Sequence, residues 1–137
     1  MLESKEFRYQ VKILEAHLDT FGHVNNAVYL QLYEEARWDF IQASGHGLEK
    51  ILSEKIGPVV LEANVKFRKE LTNRETITIT SKSVTLNGKI LTLEQKMLKE
   101  NGQIASMATF TVGIMDLKER KLIDPPTGWL EAVGITL

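Results

Sequence analysis

The chain has 137 residues, 43% hydrophobic content and a formal net charge of -1, which is the size and make-up of one globular domain, residues 1–137. That charge gives no electrostatic reason to expect a nucleic acid or an anionic membrane surface as partner. The lack of cysteine removes disulfides, thiolate nucleophiles and cysteine-ligated zinc, and agrees with a reducing compartment.

The opening stretch MLESKEFRYQ has no apolar run of the signal-peptide kind. No stretch reaches the roughly 18 apolar residues of a membrane span, so a cytoplasmic protein is expected. EFRYQVKIL then alternates Phe7, Tyr9, Val11 and Ile13 against Arg8, Gln10 and Lys12, the period-2 pattern of a half-buried strand. A polar junction, HLDTFGHVNN, separates it from AVYLQLYEEARWDFIQASGHG, where the period changes. Tyr29, Leu32, Tyr33, Ala36 and Phe40 recur at helical spacing, and Val28, Leu30, Trp38, Ile41 and Ala43 widen the apolar surface nearly all round. Such a helix is expected to be largely enclosed, with Gln31, Glu35, Asp39 and Gln42 as its solvent strip. Glu34 and Arg37 read as an intrahelical ion pair. Gly45 and Gly47 mark the stop, and Leu48 to Glu54 suit a short second helix.

Strands follow. PVVLEANVKF alternates with Val59, Leu61, Ala63, Val65 and Phe67 on the expected inner side and Glu62, Asn64, Lys66 and Arg68 on the outer. ETITITSKSV is rich in β-branched residues, Asn87-Gly88 is a hairpin turn, KILTLEQKML returns, and Asn101-Gly102 precedes QIASMATFTVGIM. The four are expected to form an antiparallel meander. The last is apolar on both faces, so it is expected mid-sheet or with its far face covered by another chain. Asp124-Pro125-Pro126 favours a turn and then a short terminal helix. A strand, a long apolar helix and four strands predict an α+β hot-dog fold, a five-stranded antiparallel sheet wrapped around one central helix. An open α+β sandwich is the alternative.

Several routes to chemistry are missing: there is no GxSxG, P-loop, GxGxxG or HExxH, and His17, His23 and His46 lack metal-pair spacing. No metal or cofactor is expected. The junction remains. Asp19 follows a strand and precedes a turn through Gly22, and the helix begins near Asn25 or Asn26, either of which caps well. A helix start offers unpaired N–H groups and partial positive charge to a developing oxyanion, and a carboxylate just upstream faces the same spot. Acyl transfer needs both parts. Against this, Asp19 reads equally as a turn residue, His23 as a packing or capping residue, Asn25 and Asn26 as caps, and Tyr29 as core.

LDTFGHVNNAVYLQLYEEAR, Leu18 to Arg37, resembles the signature of the 4-hydroxybenzoyl-CoA thioesterase-like acyl-CoA thioesterases of the hot-dog superfamily, with Asp19, Gly22, Asn26, Tyr29, Glu34 and Arg37 in matching order. The resemblance implies hydrolysis of an acyl-CoA thioester, with Asp19 as nucleophile or general base. It places the N–H near Asn26 on the carbonyl, with His23, Asn25 and Tyr29 around the substrate. It also implies CoA phosphates on basic surface, for which Lys66, Arg68 and Lys69 are candidates, and a homodimer or homotetramer with its site between chains. Where many relatives carry His, this chain has Asn26. A dehydratase or hydratase using Asp19 with His23, and a non-catalytic acyl-thioester binding module, are the rival readings.

Overall fold

In the computed structural model, which describes residues 2–136, strand β1 (Glu6–Lys12) leads through a one-turn 3-10 helix into α1 (Asn26–Ala43) and α2 (Leu48–Glu54). Strands β2 (Ile56–Phe67), β3 (Thr76–Asn87), β4 (Ile90–Leu98), β5 (Ile104–Asp116) and β6 (Lys121–Ile123) follow, and α3 (Thr127–Ala132) closes the order. One antiparallel sheet runs β1-β3-β4-β5-β2, and the short β6 adds to β5 beside Ile114–Asp116. The expected five strands are therefore present, and α1 lies across them in the hot-dog manner.

Asn25 caps α1 by accepting the Ala27 N–H on Oδ1 at 2.9 Å, and the helix ends at Ser44 before Gly45, whose φ of +83° only glycine adopts without strain. Tyr29, Leu32, Tyr33, Ala36, Phe40 and Ile41 face the sheet. Phe40 stacks on Phe7 of β1 at 4.5 Å between centroids, and Tyr33 meets Phe110 of β5 edge-on at 5.7 Å. A seam of polar groups crosses this apolar layer. Tyr33 OH donates to Ser106 Oγ at 2.8 Å, and the fully buried Gln95 donates to Ser81 Oγ and to the Tyr33 carbonyl.

Four sequence expectations change. The strands after α1 are not one meander: β2 pairs with β5, at the far edge, because only the β3-β4 and β4-β5 connections are tight hairpins. That places β5 mid-sheet, as its two apolar faces suggested. A β-bulge at Leu61 shifts the phase of β2, so Pro58 and Val60 share the inner face with Val112 and Ile114, and Ala63, Val65 and Phe67 take it over only beyond the bulge. α1 is not enclosed all round, since its backbone runs nearest β1 and β3 and stands further from β2. Leu30 and Trp38 are left 44% and 39% exposed, and Trp38 shares a cavity with the exposed Val60 of β2. Finally, Arg37 forms no ion pair with Glu34; it turns inward and donates to Gln95 Oε1 at 2.9 Å.

Removing one partner of a buried hydrogen bond strands the other. Tyr33→Phe and Ser106→Ala should each cost about 1–2 kcal/mol by chemical denaturation, and the double variant should cost clearly less than their sum.

Candidate active site

β1 ends where Ile13 N–H donates to the Glu75 carbonyl, and the chain then doubles back on itself through the junction. His17 Nδ1 accepts the Leu14 N–H at 2.9 Å, which shapes the one-turn helix. Leu18 bridges Val24, Asp19 N–H donates to the His23 carbonyl, and Gly22 N–H donates to the Asp19 carbonyl. A tight loop from Asp19 to His23 results, with Gly22 at φ +83° as its left-handed corner. The Asp19 side chain is fixed by the same loop, because Oδ1 accepts the Phe21 N–H at 2.8 Å. Its Oδ2 is left facing His23 Nδ1 at 4.0 Å.

The loop is held against the segment after β2. Val24 N–H donates to the Leu71 carbonyl and His23 bridges Thr72. Thr72 in turn donates N–H and hydroxyl to Glu75, which pairs with Lys99 at 3.0 Å and is largely enclosed. Burial alone would raise the Glu75 pKa, but the Thr72 N–H and the Lys99 ammonium together hold it below its ordinary value. This clasp fixes the height of the Asp19 loop over the helix start.

Asp19, His23, Asn26, Tyr29, Arg68 and Lys69 line one open cavity of about 490 Å³. Asn25 sits behind it as the cap. Lys66 does not line it, because alternation along β2 turns its side chain to the face opposite Phe67. Four further residues line it, Phe21, Val24, Phe67 and Glu70, none of which the sequence marked as a site residue. Phe21 is 81% exposed and stacks on His23, while Phe67 meets Tyr29 edge-on at 4.9 Å. Tyr29 is buried, as a core residue would be, and burial first, then Glu70, raises its phenol pKa.

At the helix start, Ala27 N–H is taken by Asn25 Oδ1 and Val28 N–H by the Asn25 carbonyl. The Asn26 N–H has no acceptor among the described residues, and Asn26 lines the cavity together with Asp19. The arrangement offers a carboxylate with one committed oxygen, a helix-start donor and a basic rim. Among the described residues no group of three or more His, Asp or Glu side chains is placed to hold a metal ion, and no helix is long and apolar enough to cross a membrane.

The sequence matches the family model of the thioesterase-like superfamily over residues 13–133. It belongs to that superfamily. The long-chain acyl-CoA thioesterase FadM of Escherichia coli is 37% identical over 115 residues, covering 83% of this chain and 86% of FadM. The crystal structure of the YbaW probable thioesterase from Escherichia coli superposes with a TM-score of 0.80 at 35% identity, over 91% of this chain and 94% of that one. A Staphylococcus aureus protein solved in complex with CoA gives a TM-score of 0.87 at 19% identity, over 97% of this chain and 84% of that one, a likeness of fold. The chain is accordingly a thioester hydrolase of hot-dog fold.

Because the folded Glu75 pKa is depressed, its stabilisation is complete above the ordinary value of 4.5 and is lost as pH falls through the folded value. Glu75→Gln should therefore be less stable than the parent at neutral pH and converge on it in acid. Glu15 and Asp116 are also held low and titrate nearby, so the difference between the two melting curves, not either alone, isolates Glu75.

Proposed function

We infer that the chain hydrolyses acyl-CoA to free acid and CoA, with Asp19 as the catalytic carboxylate and the Asn26 N–H as the donor to the thioester oxygen. The observation that carries this reading is their placement on one cavity wall, Asp19 with Oδ1 tied to Phe21 and Oδ2 left for chemistry. Oδ2 either takes a proton from the attacking water, or attacks the carbonyl carbon itself to form a mixed anhydride that water then hydrolyses to free acid and the regenerated carboxylate. In both cases the carbonyl oxygen gains charge, which the helix-start N–H and macrodipole stabilise, and the CoA thiolate leaves. Arg68 and Lys69 on the rim suit the CoA phosphates, and Phe67 and Tyr29 suit the start of the acyl chain. FadM is a long-chain acyl-CoA thioesterase, which makes long-chain acyl-CoA the first substrate to test. We read residues 1–137 as one such unit acting in the cytoplasm, in keeping with the absence of cysteine from the sequence.

His23 is the residue that a dehydratase would need. At 4.0 Å from Asp19, and with 42% of its side chain exposed, it lacks the close contact expected of a coupled acid-base pair. The site also bears on the binding-module reading, because a pure turn residue at Asp19 would not need to share a cavity with the helix-start residue Asn26.

Asp19→Asn keeps the shape and the turn hydrogen bond but removes the charge. It should lower acyl-CoA hydrolysis at least about 100-fold while leaving binding of a non-hydrolysable CoA analogue nearly unchanged. If Asp19 is only a turn residue the variant keeps its activity, since Asn serves turns about as well. Hydrolysis within about threefold of the parent would remove Asp19 from the mechanism.

We also propose a homodimer as the minimal unit. The outer edge of β2 is unpaired over a strand of 12 residues, and beside it Leu30, Trp38, Val60 and Leu61 are exposed. A long apolar edge of this kind is covered by pairing with a second copy. Light scattering should give about twice the 15.5 kDa chain mass, and Leu30→Asp should shift it towards the monomer. A parent protein that is monomeric at micromolar concentration would refute the dimer.

A further inference from the structure

A second cavity, of about 120 Å³, lies under the C-terminal half of α1, away from Asp19. Its walls are apolar: Trp38, Pro58, Val60, Leu91, Leu93 and Val112. Arg37 and Glu34 also line it, so the cavity has one cationic and one anionic side chain. From Asn26 to Arg37 is about 17 Å along the helix axis, the reach of a long alkyl chain.

Arg37 is held there deliberately by its neighbours. Gln95 is fully buried, and its amide nitrogen is committed to Ser81 Oγ at 2.9 Å and the Tyr33 carbonyl at 3.2 Å. Its oxygen must then face Arg37, whose Nη1 donates to it at 2.9 Å. The guanidinium carbon stands over the Phe110 ring, 4.3 Å from its centroid. One donor of the five is thus used, and no carboxylate among the described residues lies within salt-bridge distance of Arg37. Among the described residues no fully buried side-chain nitrogen lacks a partner, so the unused guanidinium nitrogens keep some exposure. Burial lowers the Arg37 pKa and Glu34 opposes this, yet an arginine stays charged.

An alkyl chain alone would fit the walls but leave that cation further desolvated and unpaired, at a cost. A small anion would satisfy the cation but not the walls. We propose that this cavity binds an alkyl chain ending in a carboxylate, the carboxylate accepting hydrogen bonds from Arg37 and the chain lying along Trp38, Val60 and Val112. Two sources share that chemistry. One is a free fatty acid, the kind of product that thioester hydrolysis releases. The other is the far carboxylate of a dicarboxylic acyl group whose thioester sits at Asp19, and only this source rests on the reading of Asp19 given above.

Trp38 on the cavity wall is the reporter. Its fluorescence is followed while the whole protein is titrated with decanoate and, separately, decanol. Decanoate should bind at least about tenfold more tightly, the gain expected of charge-assisted hydrogen bonds to a buried guanidinium. Arg37→Gln should bring the two within about threefold of each other. Val60→Phe, at a rim that the proposed second copy would share, should weaken both ligands while Arg37 is intact and light scattering still gives the parent's mass, which keeps the test decisive if Arg37→Gln fails to fold. Hydrolysis separates the sources. If the far carboxylate is the ligand, Arg37→Gln lowers kcat/KM for hexadecanedioyl-CoA about tenfold and spares hexadecanoyl-CoA. If free acid is the ligand, both substrates are spared and inhibition by decanoate is lost. Equal binding of decanoate and decanol by the parent, a preference that survives Arg37→Gln, or no binding at all would overturn the proposal. A protein that bound decanoate but hydrolysed no thioester would overturn the thioesterase reading alone.

Discussion

The position of the Asn25 cap sets everything else at the site. A helix can begin only where its first N–H groups are provided for, and here a single side-chain oxygen and a single carbonyl provide for the Ala27 and Val28 N–H groups. One residue earlier the cap would fall on Val24, which is buried and has no side-chain acceptor. Once α1 starts at Asn26, its periodicity brings Tyr29, Tyr33, Ala36 and Phe40 onto the sheet, and the length of the preceding loop brings Asp19 to the open end. Helix packing and the chemistry of the loop are thus two consequences of one local choice.

The polar seam under α1 looks costly for so small a core. Gln95, Ser81, Ser83 and Ser106 are each buried to 1% exposure or less, where an unsatisfied donor or acceptor would cost about 1–3 kcal/mol. Each finds a partner: Ser83 reaches the Val133 carbonyl at 2.7 Å, and Gln95 joins Ser81, Tyr33 and Arg37. Apolar contacts allow a helix to slide or rotate on a sheet at small cost, whereas the hydrogen bonds of Tyr33 with Ser106 and Gln95 hold in only one rotation and one register. The seam fixes α1 relative to β4 and β5, and with it the height of the helix N-terminus beside Asp19.

What could be read from the sequence was local. The cap at Asn25, the stop before Gly45, the hairpin at Asn87-Gly88 and the turn at Asp124-Pro125-Pro126 each rest on the chemistry of a few neighbouring residues, and each stands in the structure. The loop-to-helix order that placed Asp19, His23, Asn26 and Tyr29 together was legible for the same reason. What could not be read was set by distant partners. The choice of β5 over β3 as the neighbour of β2 leaves no mark in either strand. The extra residue at Leu61 keeps PVVLEANVKF looking like one unbroken alternation while inverting the sides of Val59 and Val60, which misled the reading of the inner face. Phe67 and Glu70 reach the cavity only because β2 ends opposite the helix start, and Arg37 turns inward because Gln95, far along the chain, presents an oxygen to it.

The fixed half of Asp19 bears on the step proposed for the other half. A carboxylate that rotates freely presents either oxygen and pays for the choice at each turnover in lost freedom. Here the Phe21 N–H holds Oδ1 in a loop whose corner is Gly22, so the direction of Oδ2 is settled before substrate arrives. Orientation matters most when the reacting atoms must meet within a few tenths of an ångström. In the proposed step the loop supplies the aim of Oδ2, and the helix-start N–H of Asn26 would receive the charge that develops on the carbonyl oxygen.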